Sequence, residues 1–358
     1  MKRLVLAGIL QLGRYAVLPV VALVGLLLVL WLITLDRYAV AALATAPIMF
    51  SIATAAGALA LGILFLPARK DRTDAVDDTM AAGLWRMWQE LDPGFARRNR
   101  TLRIDANFNA SIREARGYLG IFQRQVTMTV GLPLLMILDE RAIRAIVAHE
   151  VAHAELRHIT GGANLLDFLR ASENVLHYAD PDRTITGRIA ELLLRSLLEW
   201  VNKEYLALSR QNELAADSLA SELTGRAEMA RALVMVAGGT ARLRELVFAP
   251  LETEMLGAIS VPATPLQRIS AQLAEIRRPD QLAAAAATKL QDEETADSTH
   301  PSLRRRLANL GYDAIPAVEP VETSAIAQLL SPEAARDVSA RLDREWRRVA
   351  QTWVHVGM

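Results

Sequence analysis

Two long runs without a charged residue dominate the hydropathy pattern near the start of the chain: residues 15–35 and 38–67, parted by Asp36-Arg37. Each is long enough to cross a bilayer as a helix. So short a connection predicts a helical hairpin. Lys2, Arg3 and Arg14 precede the first run, and Arg69, Lys70 and Arg72 follow the second; the connection carries one Arg balanced by Asp36. By the positive-inside rule both ends, and all that follows, face the cytoplasm. A cleaved signal peptide is the competing reading of the first run. That run is too long for an h-region, a second run follows at once, and no small-residue cleavage site follows it.

Beyond the hairpin the pattern changes. Asp71–Asp78 is charged and juxtamembrane, and Ala81–Leu91 has the spacing of an amphipathic helix. Leu102–Leu138 has a different texture. Within it, Asn109–Gly117 and Ile121–Val130 read as strands, the second with alternating Val126, Met128 and Val130. Gly117 and Gly120 bracket Tyr118-Leu119 as a hairpin turn. Gly131-Leu132-Pro133 leads into a helix that Gly161-Gly162 ends. After His158 the chain reads as helical almost throughout. Arg188–Ser209 is apolar on one face but charged at Arg195, Glu199, Lys203 and Glu204, a soluble or surface-lying helix and not a third span. Gln211–Leu223 continues as helix and stops at Gly225. Residues 281–299 read as a flexible connection, Ala-rich and then acidic. Ser331-Pro332 opens a charged amphipathic helix over Ala334–Val354.

Composition narrows the class. Lys plus Arg and Asp plus Glu are both 40, so no global basic surface points to nucleic acid. The absence of cysteine excludes a disulfide framework and a Cys-ligated zinc. The chemistry concentrates in Ala145–His158, AIVAHEVAHAELRH. His149 and His153 are four residues apart, one helical turn, and can reach one metal ion. Glu150 stands beside the first of them, where it can hold and deprotonate a metal-bound water. Two His and a general base on one helix are the working part of a zinc peptidase. Arg141–Ala148 is a good helix former, and Asp139-Glu140 puts negative charge at its N-terminus.

A catalytic zinc needs a third protein ligand and an open position. Leu156 and Ile159 stand where an H-E-x-x-H-x-x-G-x-x-H site would need Gly and His, so that class is excluded. His158 falls at the wrong offset. Two carboxylates compete: Glu173, twenty residues beyond His153, and Glu213, which has Asp217 one turn later on the same helix face. Asp217 there can accept a hydrogen bond from a ligand imidazole. Spacing alone leaves the two nearly even.

Ser209–Asp217 (SRQNELAAD) resembles the S-R-x-x-E-x-x-A-D signature of the HtpX-like and CAAX-prenyl-protease-like membrane zinc endopeptidases. The AHEVAH of residues 148–153, the THPSLRRRL that begins at Thr299, and Asn109-Ala110 resemble further motifs of that family, in the same order. The resemblance covers about residues 100–310. It departs from HtpX in lacking obvious spans between the metal helix and Glu213, and from the multi-span prenyl proteases. It implies that His149, His153 and Glu213 bind one Zn2+ per chain, that Glu150 is the base, and that Asp217 supports a ligand. His300 would be an oxyanion donor or a self-inhibiting fourth ligand, and Asn109 and Ala110 would start an edge strand that pairs with substrate. His177 and His355 have no motif around them.

The expected architecture is mostly α with a small β-sheet, an α+β zincin-like metallopeptidase domain behind an N-terminal transmembrane helical hairpin. Residues 1–70 would be the anchor, 71–310 the peptidase and 311–358 a C-terminal helical extension. The expected partners are polypeptide substrates, misfolded or membrane-associated, and the lipid bilayer; the oligomeric state is not legible. Two rivals stand beside this reading: a specific processing protease with few membrane substrates, and a non-catalytic membrane adaptor with a vestigial metal site.

Overall fold

In the computed structural model, the structure describes residues 2–34, 37–64, 74–97, 99–116, 124–179, 182–258, 260–292, 295 and 297–356. In chain order, the elements open with helices α1 (Lys2–Leu12), α2 (Leu18–Thr34) and α3 (Ala39–Leu64). Then come β1 (Ala75–Val76), α4 (Ala82–Leu91), β2 (Asn99–Asp105), β3 (Ala110–Arg116), β4 (Arg124–Gly131), α5 (Leu132–Ile137) and α6 (Glu140–Ile159). The rest is helical: α7 (Gly162–Ala179), α8 (Ile185–Thr224), α9 (Arg226–Leu243), α10 (Ala249–Met255), α11 (Pro265–Ile276), α12 (Pro279–Lys289), α13 (Leu303–Asn309), α14 (Ala325–Leu329) and α15 (Pro332–Val356). The chain is thus mostly α with one small mixed sheet. It divides into two compact units, Met1–Arg69 with Arg116–Phe122 and Leu156–Arg210, and Lys70–Ala115 with Gln123–Glu155 and Gln211–Met358.

In the first unit α1 buries Ile9 against Leu165, Phe168 and Leu169 of α7 and Val201 of α8. Asn164 donates to the carbonyls of Leu10 and Gln11, and Arg14 pairs with Asp167 at 2.9 Å. Trp31 Nε1 donates to Thr45 Oγ1 over 3.0 Å and ties α2 to α3. Leu23, Leu26, Leu30 and Ile33 of α2 are exposed, as are Val40, Leu43 and Phe50 of α3. Among the described residues no single helix is long and apolar enough to cross a bilayer. The pair Arg3–Ala16 and Val21–Thr34, bent by 74°, reaches that length and apolarity together. A 3-10 stretch, Gly13–Val17, lies at the bend and overlaps the start of the expected first span.

The second unit is built on a sheet of order β1-β2-β4-β3. β2 pairs parallel with β4, from Asn99 opposite Gln125 to Asp105 opposite Gly131, and β1 pairs antiparallel with β2. Alternation explains the burial: Leu102 and Ile104 of β2 and Val126, Met128 and Val130 of β4 turn inward. Leu84, Met87, Trp88 and Leu91 of α4, four positions on one helical face, join the same core.

The two expected strands and the helix over 81–91 are present, with β2 and β1 added to them. The Gly117–Gly120 turn lies outside the described residues. Arg188–Ser209 and Gln211–Leu223 are parts of one uninterrupted helix, α8. Residues 281–299 need correction: up to Lys289 they are helix α12, which buries Leu282 and Ala286. Five consecutive alanines are strong helix formers, and two apolar positions four apart give that helix a face to bury.

Candidate metal centre

Three elements of the second unit build the site. The first is α6. Asp139 caps its N-terminus by accepting from the Ala142 N–H over 2.9 Å, and Arg231 of α9 pairs with the same carboxylate at 2.8 Å. Ala142, Ala145 and Ala148, all buried, let the helix lie close to its neighbours. His149 is 7% exposed. Its ring stands perpendicular to that of His153 with centroids 4.4 Å apart.

The second element is α8. Glu213 and Asp217, one turn apart, are both buried, Asp217 completely. Glu213 Oε1 lies 2.9 Å from His153 Nε2, and Glu213 Oε2 lies 3.6 Å from His149 Nε2. Asp217 Oδ1 lies 3.0 Å from His149 Nδ1, the other ring nitrogen. The imidazole thus has the Asp217 carboxylate behind it at ion-pair distance and presents Nε2 toward Glu213.

The third element is the segment leading into α13. Ser302 caps that helix by accepting from the Arg305 N–H. Two residues earlier His300, with its side chain 65% exposed, places Nδ1 2.8 Å from Glu213 Oε1. Arg306 forks onto Asp217, Nε to Oδ2 at 2.8 Å and Nη2 to Oδ1 at 2.7 Å, and reaches Glu213 Oε2 at 3.4 Å. Asn309 donates to Leu214 O and Ser218 Oγ, which binds α13 to α8.

The electrostatics follow from these contacts. Burial works against both carboxylates. Hydrogen bonds from His153 and His300 and the Arg306 charge outweigh it at Glu213 and hold that carboxyl far below the ordinary range. At Asp217 the Arg306 guanidinium does the same. Burial pushes the His153 imidazole down, which favours the neutral form. At His300 the hydrogen bond to Glu213 holds the imidazole up.

The set fits a metal ion. Ligand atoms of His149, His153 and Glu213 all lie within 4.8 Å of one another. Glu213 Oε2 is buried and makes no hydrogen bond; the Arg306 guanidinium stands 3.4 Å away, and a metal ion among the three ligands would be a closer partner. Among the described residues this is the one such group of His, Cys, Asp or Glu, and Glu173, on α7, is not in it. Glu150, Asn109 and Ala110 line one pocket of about 100 Å³ together with His149, Glu213 and His300. The same pocket is apolar at Leu134, Ile146, Met229, Ala232, Leu233 and Val236. A second hollow of about 340 Å³ shares Leu233, Val236, His300 and Arg306 with it.

So the structure gathers His149, Glu150, His153, Glu213, Asp217, His300, Asn109 and Ala110 around one place. What the sequence reading missed is the part played by Arg306, one position within THPSLRRRL to which no role attaches by type alone. The side chains of His158, His177 and His355 lie outside the described residues.

Two histidines and a glutamate within ligand distance of one another, with Glu150 lining the same pocket as His149 and Glu213, are the side chains that a metallopeptidase site requires. Residues 98–314 match peptidase family M48, and the chain belongs to that family. The family contains HtpX and CAAX protease members, and its members are metalloproteases often associated with membranes. No curated protein and no solved structure matches the chain.

Proposed function

We propose that this chain is a membrane-anchored zinc endopeptidase that hydrolyses peptide bonds in misfolded or membrane-associated proteins, in protein quality control. The observation that carries the reading is Glu150 lining one pocket with His149 and Glu213. Two imidazoles and one carboxylate are the donor set of a catalytic zinc with a position left open. The chemistry one Zn2+ supplies when bound is polarisation of the scissile carbonyl and a lowered pKa of water. His149, His153 and Glu213 are the residues that would hold it.

The remaining steps belong to the protein. Glu150 takes a proton from the attacking water and returns it to the leaving amide nitrogen. Asp217 keeps His149 in the tautomer with hydrogen on Nδ1, and Arg306 keeps Asp217 ionised. His300, at the mouth of the pocket, donates to the developing oxyanion. Ala110 begins the strand at the end of the sheet order and Asn109 leads into it, and substrate adds beside it in extended form.

The anchor is residues 1–70, with spans at about 15–35 and 38–67, and the exposed apolar side chains of α2 and α3 support it. The cationic flanks put the peptidase, residues 71–310, and the helical extension, 311–358, on the cytoplasmic side. The test is zinc content and casein cleavage by the detergent-purified chain, wild type against Glu150→Gln. Retained zinc with lost cleavage supports the reading. A zinc-loaded wild type as inert as the variant overturns it in favour of an adaptor.

A further inference from the structure

The turn that leads from β2 into β3 is wedged by two glycines. Gly131, the last residue of β4, donates its N–H to the Asn109 carbonyl over 2.8 Å. A Cβ on Gly131 would fall 1.6 Å from the Asn107 oxygen, so any side chain there evicts the turn. The second contact is on α9. A Cβ on Gly239 would fall 2.6 Å from Phe108 Cζ and 3.0 Å from Cε1, so the phenyl ring rests on bare helix backbone. Phe108 is half-buried against the core, while its neighbours Asn107 and Asn109 are exposed. The ring is therefore the anchor of a turn whose other side chains face out. Three residues before Gly239, Val236 lines the pocket that holds Ala110 and Glu150. One helix thus forms a wall of the cleft and seats the turn at its rim.

We infer that Phe108, seated on Gly239, is a positioning residue for substrate: it fixes where Asn109 and Ala110 stand beside Glu150 and His149. The inference rests on the peptidase reading above. A peptide that adds to a strand edge takes its register from the main chain of that strand. Shifting the strand start weakens the peptide in its ground and transition states alike, which raises KM and spares kcat. The metal ligands, on α6 and α8, are untouched.

The experiment uses the full chain in detergent with labelled unfolded casein as the probe. Hydrogen exchange over residues 107–116 and zinc content are measured alongside. Gly239→Ala is expected to raise KM about tenfold at near-constant kcat, the scale of one overpacking contact. Exchange across the turn should quicken and zinc content stay at the wild-type value. Adding Phe108→Leu to Gly239→Ala removes Cζ and should restore both KM and exchange. Wild-type KM and exchange in Gly239→Ala overturn the inference, as does a fall in kcat at constant KM or a double variant that recovers neither property. If the wild type cleaves no casein, the peptidase reading fails by itself; the exchange rates and their rescue still decide whether Phe108 holds the turn.

Discussion

Arg306 holds Asp217 through two near-parallel hydrogen bonds, 2.8 Å from Nε and 2.7 Å from Nη2, and the same carboxylate stands 3.0 Å from His149 Nδ1. The carboxylate beside His149, a candidate metal ligand, is thus itself kept charged from α13. Asp217 is fully buried, so removing its cation leaves an uncompensated charge in the core. Arg306→Ala is expected to cost about 3–5 kcal/mol of stability. Arg306→Lys keeps the charge but loses the fork, and should fold with zinc affinity lowered about 10–100-fold. Denaturant unfolding and chelator competition measure the two effects. Equal zinc affinity in Arg306→Lys and wild type would show that the fork does not reach the metal through His149.

The choice between the two candidate carboxylates is open to direct measurement. Glu213→Ala should lose bound zinc, because a carboxylate oxygen that lies among the imidazole nitrogens is removed. Glu173→Ala should keep it. Metal analysis of both purified variants decides, and zinc loss confined to Glu173→Ala would place the site elsewhere.

Acid should weaken the N-terminus of the metal helix. Burial disfavours the Asp139 carboxylate, but the Arg231 hydrogen bond and the Ala142 N–H outweigh it and hold its carboxyl below the usual range. A depressed folded pKa contributes stability that is present above the unfolded value, about 3.9, and is lost as pH falls through the folded one. Wild type should therefore lose melting temperature as pH falls below about 4, and Asp139→Asn should show a shallower loss there from a lower starting point. Parallel acid limbs in the two proteins would remove Asp139 from the account.

How much of this was legible beforehand follows from the range of each interaction. The strands β3 and β4 were readable because alternation is local. β2 was passed over although Leu102 and Ile104 alternate, since its partner is β4, parallel and more than twenty residues on, and nothing in the local pattern announces that pairing. The alanine run before Lys289 passes for a connection because it is Ala-rich and leads into an acidic stretch; its burial depends on α9.

At the site the division is the same. Residue type and helical period by themselves determine that His149 and His153 share a face with Glu150 next to them, and that Glu213 and Asp217 share another. Those are consequences of a 3.6-residue turn. Which carboxylate meets the two imidazoles was beyond spacing, which leaves Glu173 and Glu213 even; in the sequence only the resemblance of Ser209–Asp217 to the family signature favours Glu213. Tertiary packing decided it by bringing α8 against α6, and it alone put Arg306 behind Asp217 and Phe108 on Gly239. The cost of burying a charge without its partner, and the space a missing Cβ leaves, exist only once the chain has folded back on itself.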